Sequence, residues 1–537
     1  MNKSFLSVVI AVLMNLAGPG RAVSQDTADQ GPPQVAASIG QFVSQLMTST
    51  EPGGAVIVLK DGKVIFRKAY GMASLELGVK MEPDMVFAIG SLTKQFTAVA
   101  AVRLAEKGRL SLTDHLGKYF PDFPGSERIQ IRHLLTHSSG IKDYIPLPGF
   151  SSRMREDLSN EDVLEVVKKE PLEFPPGEKY SYSNSNFALA GAIIEKVTGQ
   201  EYEKFLRETI LIPLGLNHTG VINNTKVIPG LVNGYELTDG QIRKAGLMSY
   251  SYLHAAGGLC TNIDDLAKWN SALFGGQIIS RASLVECLTP NKLNNGQSSG
   301  MGIGWFVDTL YGRPYLYHGG GIYGFVNHTL FLPEENLYVA VLRNFINRST
   351  DTRRIAEAIA GIVLGEDVPG KATKIVSLSP EQLSRYVGLY KFDDDSVRRI
   401  MLIDGRLYYG IDENRKVEIF PESLTRFHQP GGRVQLEFQF DGRGEVVSMV
   451  AKAGEQSKTG IKQPPSSDPS DSPLCRPKIP GQVMDNLVNQ PSVRLIFVLD
   501  SKIRNLAIQQ SQIGYSLLAL YGIGPEHDPG VSRLKFG

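Results

Sequence analysis

The sequence predicts an α/β (α+β) fold, in which an antiparallel sheet flanked by helices is assembled from both ends of one domain. Strand patterns lie on either side of a long helical middle, in which apolar residues recur mostly at helical spacing from about residue 91 to about residue 300. Turn residues between neighbouring strand patterns favour antiparallel pairing. The helical middle is then a subdomain inserted between the two halves of the sheet. A last group of short strands without helices predicts a separate all-β domain.

The first residues, 1–24, have the pattern of a secretory signal peptide. Lys3 forms the basic region, residues 5–16 are apolar, and small residues at 22–24 make a cleavage site. The apolar run is shorter than the roughly 20 residues that a membrane-spanning helix needs. We therefore expect an exported and soluble protein, periplasmic or secreted, without a membrane span.

The composition of the 537-residue chain is that of a globular protein, with 42% hydrophobic residues. Its 56 basic and 55 acidic residues nearly cancel, and no long run of one sign is present, which argues against binding to nucleic acid or to an anionic membrane. Three cysteines are too few, and odd in number, for a disulfide framework. Cys260 and Cys287 are expected to be buried free thiols, with a disulfide between them as the alternative.

The elements of residues 25–370 follow from their patterns in chain order. An amphipathic helix over 34–48 precedes two strands that are joined by Asp61-Gly62, a strong signal for a two-residue hairpin. The strands predicted for this region are 55–60, 63–70, 305–309, 314–318, 324–332 and 337–343. The further helices predicted are 91–107, 129–137, 160–169, 186–197, 264–273 and 352–365.

Residues 378–462 are predicted to form a small all-β domain, a sandwich or a barrel, because short strands alternate with turn signals and no helix intervenes. Its predicted strands are 386–391, 398–403, 406–410, 416–420 and 434–440. Residues 463–481 are rich in proline and serine, which is typical of a linker. The tail, 482–537, carries no recognisable motif and stays unassigned.

Ser91 and Lys94 open the first helix of the helical middle. A serine and a lysine three residues apart share one helical face, about one turn from each other. The amine can take the hydroxyl proton if burial and neighbours keep Lys94 partly neutral. A helix start also offers N–H groups to a developing oxyanion. The alternative is a capping serine beside a solvated lysine.

Tyr182 and Asn184 lie two residues apart in a loop between a Pro-Pro-Gly turn at 175–177 and a helix. Both side chains can point into one cleft, where Tyr182 would move a proton near the lysine and Asn184 would bond to an amide or ester carbonyl. The alternative is a tyrosine corner followed by a helix-capping asparagine.

His318-Gly-Gly-Gly321 stands at the end of a predicted strand. Its glycines allow a substrate to come close to the strand backbone, and their N–H groups are candidates for a second oxyanion donor. The alternative is a glycine-rich hairpin turn that binds nothing.

In this order, the three elements resemble the penicillin-recognising serine hydrolases. The resemblance is closest to the class C β-lactamase branch with its D-aminopeptidases, D-alanyl-D-alanine carboxypeptidases and β-lactamase-like carboxylesterases. The matching segments are 87–94, 131–140, 182–184, 256–261 with 265–266, and 318–320 with 324–325. The resemblance runs from about residue 35 to 365 and implies a β-lactamase/transpeptidase-like fold for 25–370. It also likens 378–462 to the lipocalin-like barrels appended to such hydrolases.

The resemblance implies a role for each site residue. Ser91 is the expected nucleophile, and Lys94 with Tyr182 the proton-transfer pair. The expected substrate-binding residues are Asn184, His318, Gly319, Gly320 and Gly321. The N–H groups of Ser91 and Gly321 would form the oxyanion hole, and Asn184 would donate to a substrate amide. Neither a metal nor a cofactor is expected.

The third motif departs from that of the class C β-lactamases. Their motif resembles Lys-Thr-Gly, whereas this chain has His-Gly-Gly at 318–320. A histidine is mostly neutral at pH 7 and would begin to protonate toward pH 6, so an anionic β-lactam lacks a fixed positive partner. We expect a serine hydrolase that acts through an acyl-enzyme on small esters or on D-amino-acid amides and peptides. The alternatives are a β-lactamase, and a penicillin-binding or sensor protein that acylates with little turnover.

Three other motifs are expected to lie outside the chemistry. Lys-Thr-Gly at 458–460 lies beyond the sheet, and Gly-x-Ser-x-Gly at 296–300 lacks the strand and helix that a nucleophile elbow needs. His133 and His137 are spaced like zinc ligands on one helical face, but no third ligand accompanies them. A structural role beneath the site is expected for this pair.

Overall fold

The computed structural model describes residues 32–464 except 239–240, 348–350, 367, 369–377, 404, 413–415, 430–433 and 454–455. The predicted signal peptide (1–24), nearly all of the predicted linker (463–481), the tail (482–537) and Cys475 lie outside the described residues. The predicted domain limits at 25 and 370 also fall outside them.

The first domain is built around an antiparallel sheet. All strands of this domain, including those outside the sheet, are numbered along the chain. They are β1 (Gly54–Lys60), β2 (Lys63–Tyr70), β3 (Met72–Ser74), β4 (Val79–Lys80), β5 (Phe87–Ala88), β6 (Gly220–Val221), β7 (Tyr235–Thr238), β8 (Gln241–Lys244), β9 (Leu259–Thr261), β10 (Phe306–Leu310), β11 (Arg313–Ile322), β12 (Phe325–Leu332), β13 (Leu337–Arg343) and β14 (Phe345–Ile346). Within the described part of the chain, six of them form one sheet in the order β10-β11-β12-β13-β1-β2. Gly54 pairs with Arg343 and Lys60 with Leu337, so β13 lies beside β1. The predicted sheet from both chain ends is confirmed.

Helices cover both faces of this sheet and build the inserted subdomain. They are α1 (Pro32–Leu46), α2 (Thr93–Glu106), α3 (Ile131–Leu135), α4 (Pro148–Ser151), α5 (Asn160–Val167), α6 (Asn184–Thr198), α7 (Tyr202–Leu206), α8 (His254–Gly257), α9 (Ile263–Phe274), α10 (Arg281–Leu288) and α11 (Thr352–Leu364). Asn262 and Ser280 cap α9 and α10 by accepting backbone N–H bonds of the first turn. Every helix among the described residues is too short or too polar to cross a bilayer.

Strand β1 is apolar from Gly54 to Leu59 because it contributes to a core on each face of the sheet. Ile57 and Leu59 pack into the larger core with the inserted helices. Val56 and Val58 point the other way and pack against residues of α1 and α11. This alternation fixes the register of the sheet, since a one-residue slip would exchange the two faces.

Helix α2 runs through the middle of the domain and is buried on all sides, from Thr93 to Val102. A helix without a polar surface face is an interior helix. Its Lys94 therefore has no water-facing side to turn to, and its amine must find partners inside the protein. The Gly90–Leu92 turn that carries Ser91 is a 3₁₀ turn directly before α2.

The helical middle also contains the short strands β6 to β9, which the sequence analysis did not predict. β9 pairs with β5 and β6, and β7 forms a hairpin with β8 that continues to β14. These strands have two to four residues each, too few for an alternating pattern to be read.

The second domain is a closed barrel, which decides between the two predicted forms. It consists of α12 (Pro380–Ser384), β15 (Gly388–Phe392), β16 (Val397–Ile403), β17 (Arg406–Gly410), β18 (Lys416–Pro421), β19 (Arg426–His428), β20 (Val434–Phe440), β21 (Val446–Ala453) and β22 (Gln456–Lys462). Tyr390, Leu407, Phe438 and Met449 from four strands meet in its interior, so side chains fill it. β19, β21 and β22 were not predicted. β22 is mostly polar and shows no alternating apolar pattern, yet it closes the barrel by pairing with β15 and β21.

Candidate active site

Ser91 stands on a tight turn that only glycine neighbours permit. Gly90 has φ +53°, and a Cβ on it would lie 2.9 Å from the Gly321 carbonyl oxygen and 3.0 Å from the Gly321 nitrogen. The turn therefore brings Ser91 directly beside strand β11. The Ser91 residue is partly exposed, whereas Lys94, one turn later, is fully buried.

The amine of Lys94 meets three oxygen atoms. Its Nζ lies 3.0 Å from Ser91 Oγ, 2.8 Å from Asn184 Oδ1 and 2.7 Å from the Ala256 carbonyl oxygen. Burial lowers the pKa of Lys94 to about 7, against the opposing effect of the Asp143 charge. A neutral amine has two N–H donors and one lone pair. Because the amide and the carbonyl oxygens can only accept, they take both N–H groups, and the lone pair faces the Ser91 hydroxyl.

Tyr182 approaches the same hydroxyl from the other side. Its O–H donates to Ser91 Oγ at 2.8 Å, and Lys94 Nζ lies 4.9 Å from the centre of its ring. Burial raises the pKa of Tyr182, so its phenol is protonated at neutral pH. Ser91 Oγ thus sits between a base that can accept its proton and a donor that can stabilise its developing charge.

His137 lies beneath Tyr182, where a structural role was predicted. Its ring stacks on the Tyr182 ring with centroids 4.2 Å apart, and its Nδ1 accepts the Ser183 N–H at 3.1 Å. Burial lowers the pKa of His137 well below the usual range, so the ring is neutral and can accept that bond. His133 and His137 do not share a helical face, because α3 ends at Leu135 and His137 has φ +53°. His133 instead accepts the Gln130 N–H at the helix start.

Asn184 is held in one orientation by a residue that the sequence analysis missed. Asp143 accepts both the backbone N–H of Asn184 and its side-chain Nδ2 at 3.1–3.2 Å. This contact turns Oδ1 toward Lys94 and directs the amide hydrogens at a carboxylate rather than at open space. The role of Asn184 as a donor to a substrate amide stays a prediction. Asp143 gave no sequence signal, because an acidic residue in a loop is ordinary.

The glycines of the third motif allow strand β11 to pack against the turn that carries Ser91. A Cβ on Gly320 would lie 1.9 Å from the Ile89 carbonyl oxygen and 3.2 Å from the Leu92 nitrogen. The close approach at Gly320 is therefore to the protein's own turn, whereas the prediction was an approach to substrate. Gly319 and Gly321 continue the strand beside it, and Gly321 is exposed. The oxyanion role of the Ser91 and Gly321 N–H groups stays a prediction, supported by the contact between Gly90 and Gly321.

Gly320→Val should lower kcat/KM for every substrate alike, by about a hundredfold, because the new side chain pushes β11 away from the Ser91 turn. It should also cost about 2 kcal/mol of unfolding free energy, as overpacking does. Gly320→Ala should be nearly as harmful, since the clash is already complete at Cβ. Kinetics on two unrelated substrates and thermal unfolding measure both effects.

Gly246 provides the matched control for this prediction, because a Cβ there meets nothing within 4 Å. Gly246→Ala and Gly246→Val should leave activity and stability near the wild-type values. A Gly320→Ala variant with wild-type kinetics would contradict the packing argument.

His318 is buried and uncharged. Its Nδ1 lies 2.6 Å from the Gly319 carbonyl oxygen, which can only accept, so Nδ1 carries the proton. Nε2 is then a bare acceptor, buried and without a partner. Burial, together with the Lys94 charge, lowers the pKa of His318 to about 3. The expectation that the ring begins to gain charge toward pH 6 is wrong, because desolvation outweighs the ordinary imidazole equilibrium.

The remaining motifs stay away from the Ser91 constellation. Lys-Thr-Gly at 458–460 lies in β22 of the barrel, where Lys458 pairs with Asp394. Residues 296–300 form a loop with no helix after it. Cys260 and Cys287 are buried free thiols, as predicted. The described residues contain no group of three or more His, Cys, Asp or Glu side chains arranged to hold a metal ion.

Comparison with known proteins agrees with this arrangement. The family model described as Beta-lactamase matches residues 39–363, more than half of the chain. The chain belongs to this Beta-lactamase family. Its fold is the β-lactamase/transpeptidase fold that the resemblance implied, followed by a closed barrel.

Named relatives and solved structures align with more than half of this chain. A penicillin-binding protein of Bacillus subtilis (strain 168) is 27% identical over 405 residues, 72% of this chain and 89% of its own. The D-stereospecific amidohydrolase from Streptomyces sp. is 26% identical with TM-score 0.50, covering 58% of this chain and 94% of its own. A penicillin-binding protein homologue from Pyrococcus abyssi, 24% identical with TM-score 0.57 over 80% of this chain and 99% of its own, shares the fold.

Proposed function

We propose that this protein is an exported serine hydrolase that acts through an acyl-enzyme on small esters or on D-amino-acid amides and peptides. The observation that carries the proposal is the position of Ser91 Oγ, 2.8 Å from the Tyr182 hydroxyl and 3.0 Å from Lys94 Nζ. The amino-terminal pattern of residues 1–24 supports export.

The reaction begins with attack of Ser91 Oγ on the substrate carbonyl while its proton passes to Lys94 Nζ. The tetrahedral oxyanion is stabilised by the N–H groups of Ser91 and Gly321. The leaving alcohol or amine takes its proton from Tyr182, whose phenol is restored from the Lys94 ammonium. A water molecule then attacks the acyl-enzyme by the same path in reverse and frees Ser91.

The charges around the site favour a substrate without a carboxylate at this position. The His318 ring is neutral, since its pKa is lowered to about 3. Asp143 carries a partly exposed carboxylate against Asn184 and acts electrostatically on Lys94. A neutral ester or a substrate amine is compatible with this field, whereas the carboxylate of a β-lactam has no fixed positive partner at His318. The relative from Streptomyces, whose name is that of a D-stereospecific amidohydrolase, supports the amide alternative.

A penicillin-binding protein that acylates with little turnover is the second candidate, favoured by the named relative from Bacillus subtilis. One experiment separates the candidates: the protein without residues 1–24 is given a fluorescent penicillin, a short nitrophenyl ester, and D- and L-alanine nitroanilides. We expect ester or D-anilide product with many turnovers per chain. One stable penicillin adduct per chain without product would favour the second candidate, and fast penicillin hydrolysis would indicate a β-lactamase. The absence of both an adduct and a product would contradict the proposal.

His318→Lys should shift the ratio of kcat/KM for a cephalosporin over a nitrophenyl ester toward the cephalosporin. An ammonium near the substrate carboxylate contributes about 1 kcal/mol or more when it is partly desolvated, which is roughly a fivefold change or more. His318→Asn, which adds no charge, is the matched control and should leave the ratio unchanged. Lowering the pH to 6 should not imitate the lysine, since the pKa of His318 lies near 3. An unchanged ratio in His318→Lys would show that this position does not sense substrate charge.

A further inference from the structure

The carbonyl of Ala256 that accepts from Lys94 belongs to a short helix with a strained first residue. His254, the first residue of α8, has φ +36° and ψ −130°, a region that residues other than glycine rarely adopt. The two residues after it present their carbonyl oxygens to α2. Ala255 accepts from Thr97 Oγ1 at 2.6 Å, and Ala256 accepts from Lys94 Nζ at 2.7 Å. Such strain persists only where the surroundings hold it in place.

Glu195 of α6 is the group that holds His254. The distance from His254 Nε2 to Glu195 Oε1 is 3.2 Å, and Glu195 Oε1 also accepts the Tyr202 N–H at 2.9 Å. His254 Nδ1 is buried without a partner, so the proton belongs on Nε2, from which it is donated to the carboxylate. The His254 ring packs on Tyr202 with centroids 5.0 Å apart, and the Tyr202 hydroxyl lies 2.7 Å from Thr97 Oγ1.

Helix α6 packs closely enough for this contact because it carries Gly191. A Cβ there would lie 2.6 Å from Ala255 Cβ and 2.8 Å from His254 Nδ1. The same helix begins at Asn184, the second acceptor of the Lys94 amine, about 16 Å from Glu195 along its axis. Helix α6 therefore supplies one acceptor of the Lys94 amine, Asn184, at its first residue. Through Glu195 in its last turn it orients the other, the Ala256 carbonyl.

We propose that Glu195 and His254 are positioning residues that clamp the strained turn, so that the Ala256 carbonyl faces Lys94 and the amine lone pair stays aimed at Ser91. The inference rests on the proposed role of Lys94 as the base. Without the clamp, the turn relaxes, the carbonyl rotates away, and an N–H of Lys94 competes for the Ser91 hydroxyl. Four titratable groups on other elements face Lys94: the charge of Asp143 opposes the lowering of its pKa, the centre of the Tyr182 ring lies 4.9 Å from its Nζ, and the Lys94 charge acts on the rings of His137 and His318.

Four variants test the clamp. His254→Gly accepts the positive φ without strain but loses the ring, so the relief of strain should offset part of the lost packing and keep the protein folded while acylation slows about tenfold. Glu195→Ala should slow acylation similarly, with KM changed less than twofold. Glu195→Gln has the same charge as Glu195→Ala but keeps an acceptor for both N–H groups, and it should behave as wild type. Glu208→Ala, which removes an exposed glutamate, is the surface control.

A second measurement does not depend on turnover. The pKa of Lys94, followed by NMR on lysine-labelled protein, should lie near 7 in the wild type and in Glu195→Gln. It should fall in His254→Gly and Glu195→Ala, because the ammonium loses an acceptor. The rise of kcat/KM with pH should move to lower pH in the same two variants.

A wild-type acylation rate in His254→Gly, or an unmoved pKa of Lys94 there, would overturn the clamp. Equal damage in Glu195→Gln and Glu195→Ala would do the same. If the wild type neither hydrolyses nor is labelled while the pKa of Lys94 shifts as expected, the clamp stands and the proposed function fails.

Discussion

Replacing Ser91 by alanine should abolish both product formation and covalent labelling by a fluorescent penicillin. The hydroxyl oxygen is the only atom removed, and it is the one that Lys94 and Tyr182 both contact. Loss of a nucleophile that acts as part of such a unit lowers kcat by about four orders of magnitude or more. Steady-state hydrolysis of a nitrophenyl ester and labelling followed by mass spectrometry measure the two effects.

Ser298 provides a matched control for this substitution. It is an exposed serine in the loop of residues 296–300, whose sequence imitates a nucleophile elbow. Ser298→Ala should therefore retain wild-type turnover and labelling. Thermal unfolding of Ser91→Ala should stay close to wild type, because Ser91 is partly exposed and its loss opens no large cavity. A loss of only a few fold, or an adduct found on Ser298, would contradict the assignment of Ser91.

Sequence patterns predicted the main strands of the sheet and the contact between the first two candidate site residues, Ser91 and Lys94, because both depend on local spacing. The two-sided burial of β1 appears as an apolar run, and the hairpin before β2 appears as Asp61-Gly62. Ser91 and Lys94 are three residues apart, so one helical turn is enough to bring them together. Tyr182 could be joined to them only through the order of motifs in a known family, since 91 residues separate it from Ser91.

The contacts that orient the site could not be predicted, because they join ordinary residues far apart in the chain. Asp143 reaches Asn184 across 41 residues, and His254 reaches Glu195 across 59. The direction of the Asn184 amide and the neutral state of His318 both follow from burial among particular partners. Burial of that kind is a property of packing, which a single sequence does not display.

Removing the Lys94 amine and the Tyr182 hydroxyl together should slow acylation no more than the more damaging of the two single substitutions. Lys94→Ala and Tyr182→Phe should each slow acylation by about a hundredfold to ten-thousandfold, the range of general acid–base catalysis. Their effects should not add, because in the proposed mechanism one proton passes from Ser91 to Lys94 and is replaced on the leaving group through Tyr182, so the loss of either residue interrupts the same transfer. Lys94→Met fills the buried space that alanine leaves and separates the loss of the amine from the loss of packing. The rate of penicillin labelling in the four combinations measures the coupling.

Tyr180 offers the control for the phenol, since it is a tyrosine of the same loop whose ring contacts Phe306 rather than Lys94. Tyr180→Phe should therefore leave the acylation rate near wild type. A double variant of Lys94 and Tyr182 whose losses multiply in full would mean that the two residues do not share a proton path. The pKa values of the two groups suit different places in that proton path, because burial brings the pKa of Lys94 down to about 7 and raises that of Tyr182. At neutral pH the amine can then accept the Ser91 proton while the phenol still holds its own, so neither residue can replace the other.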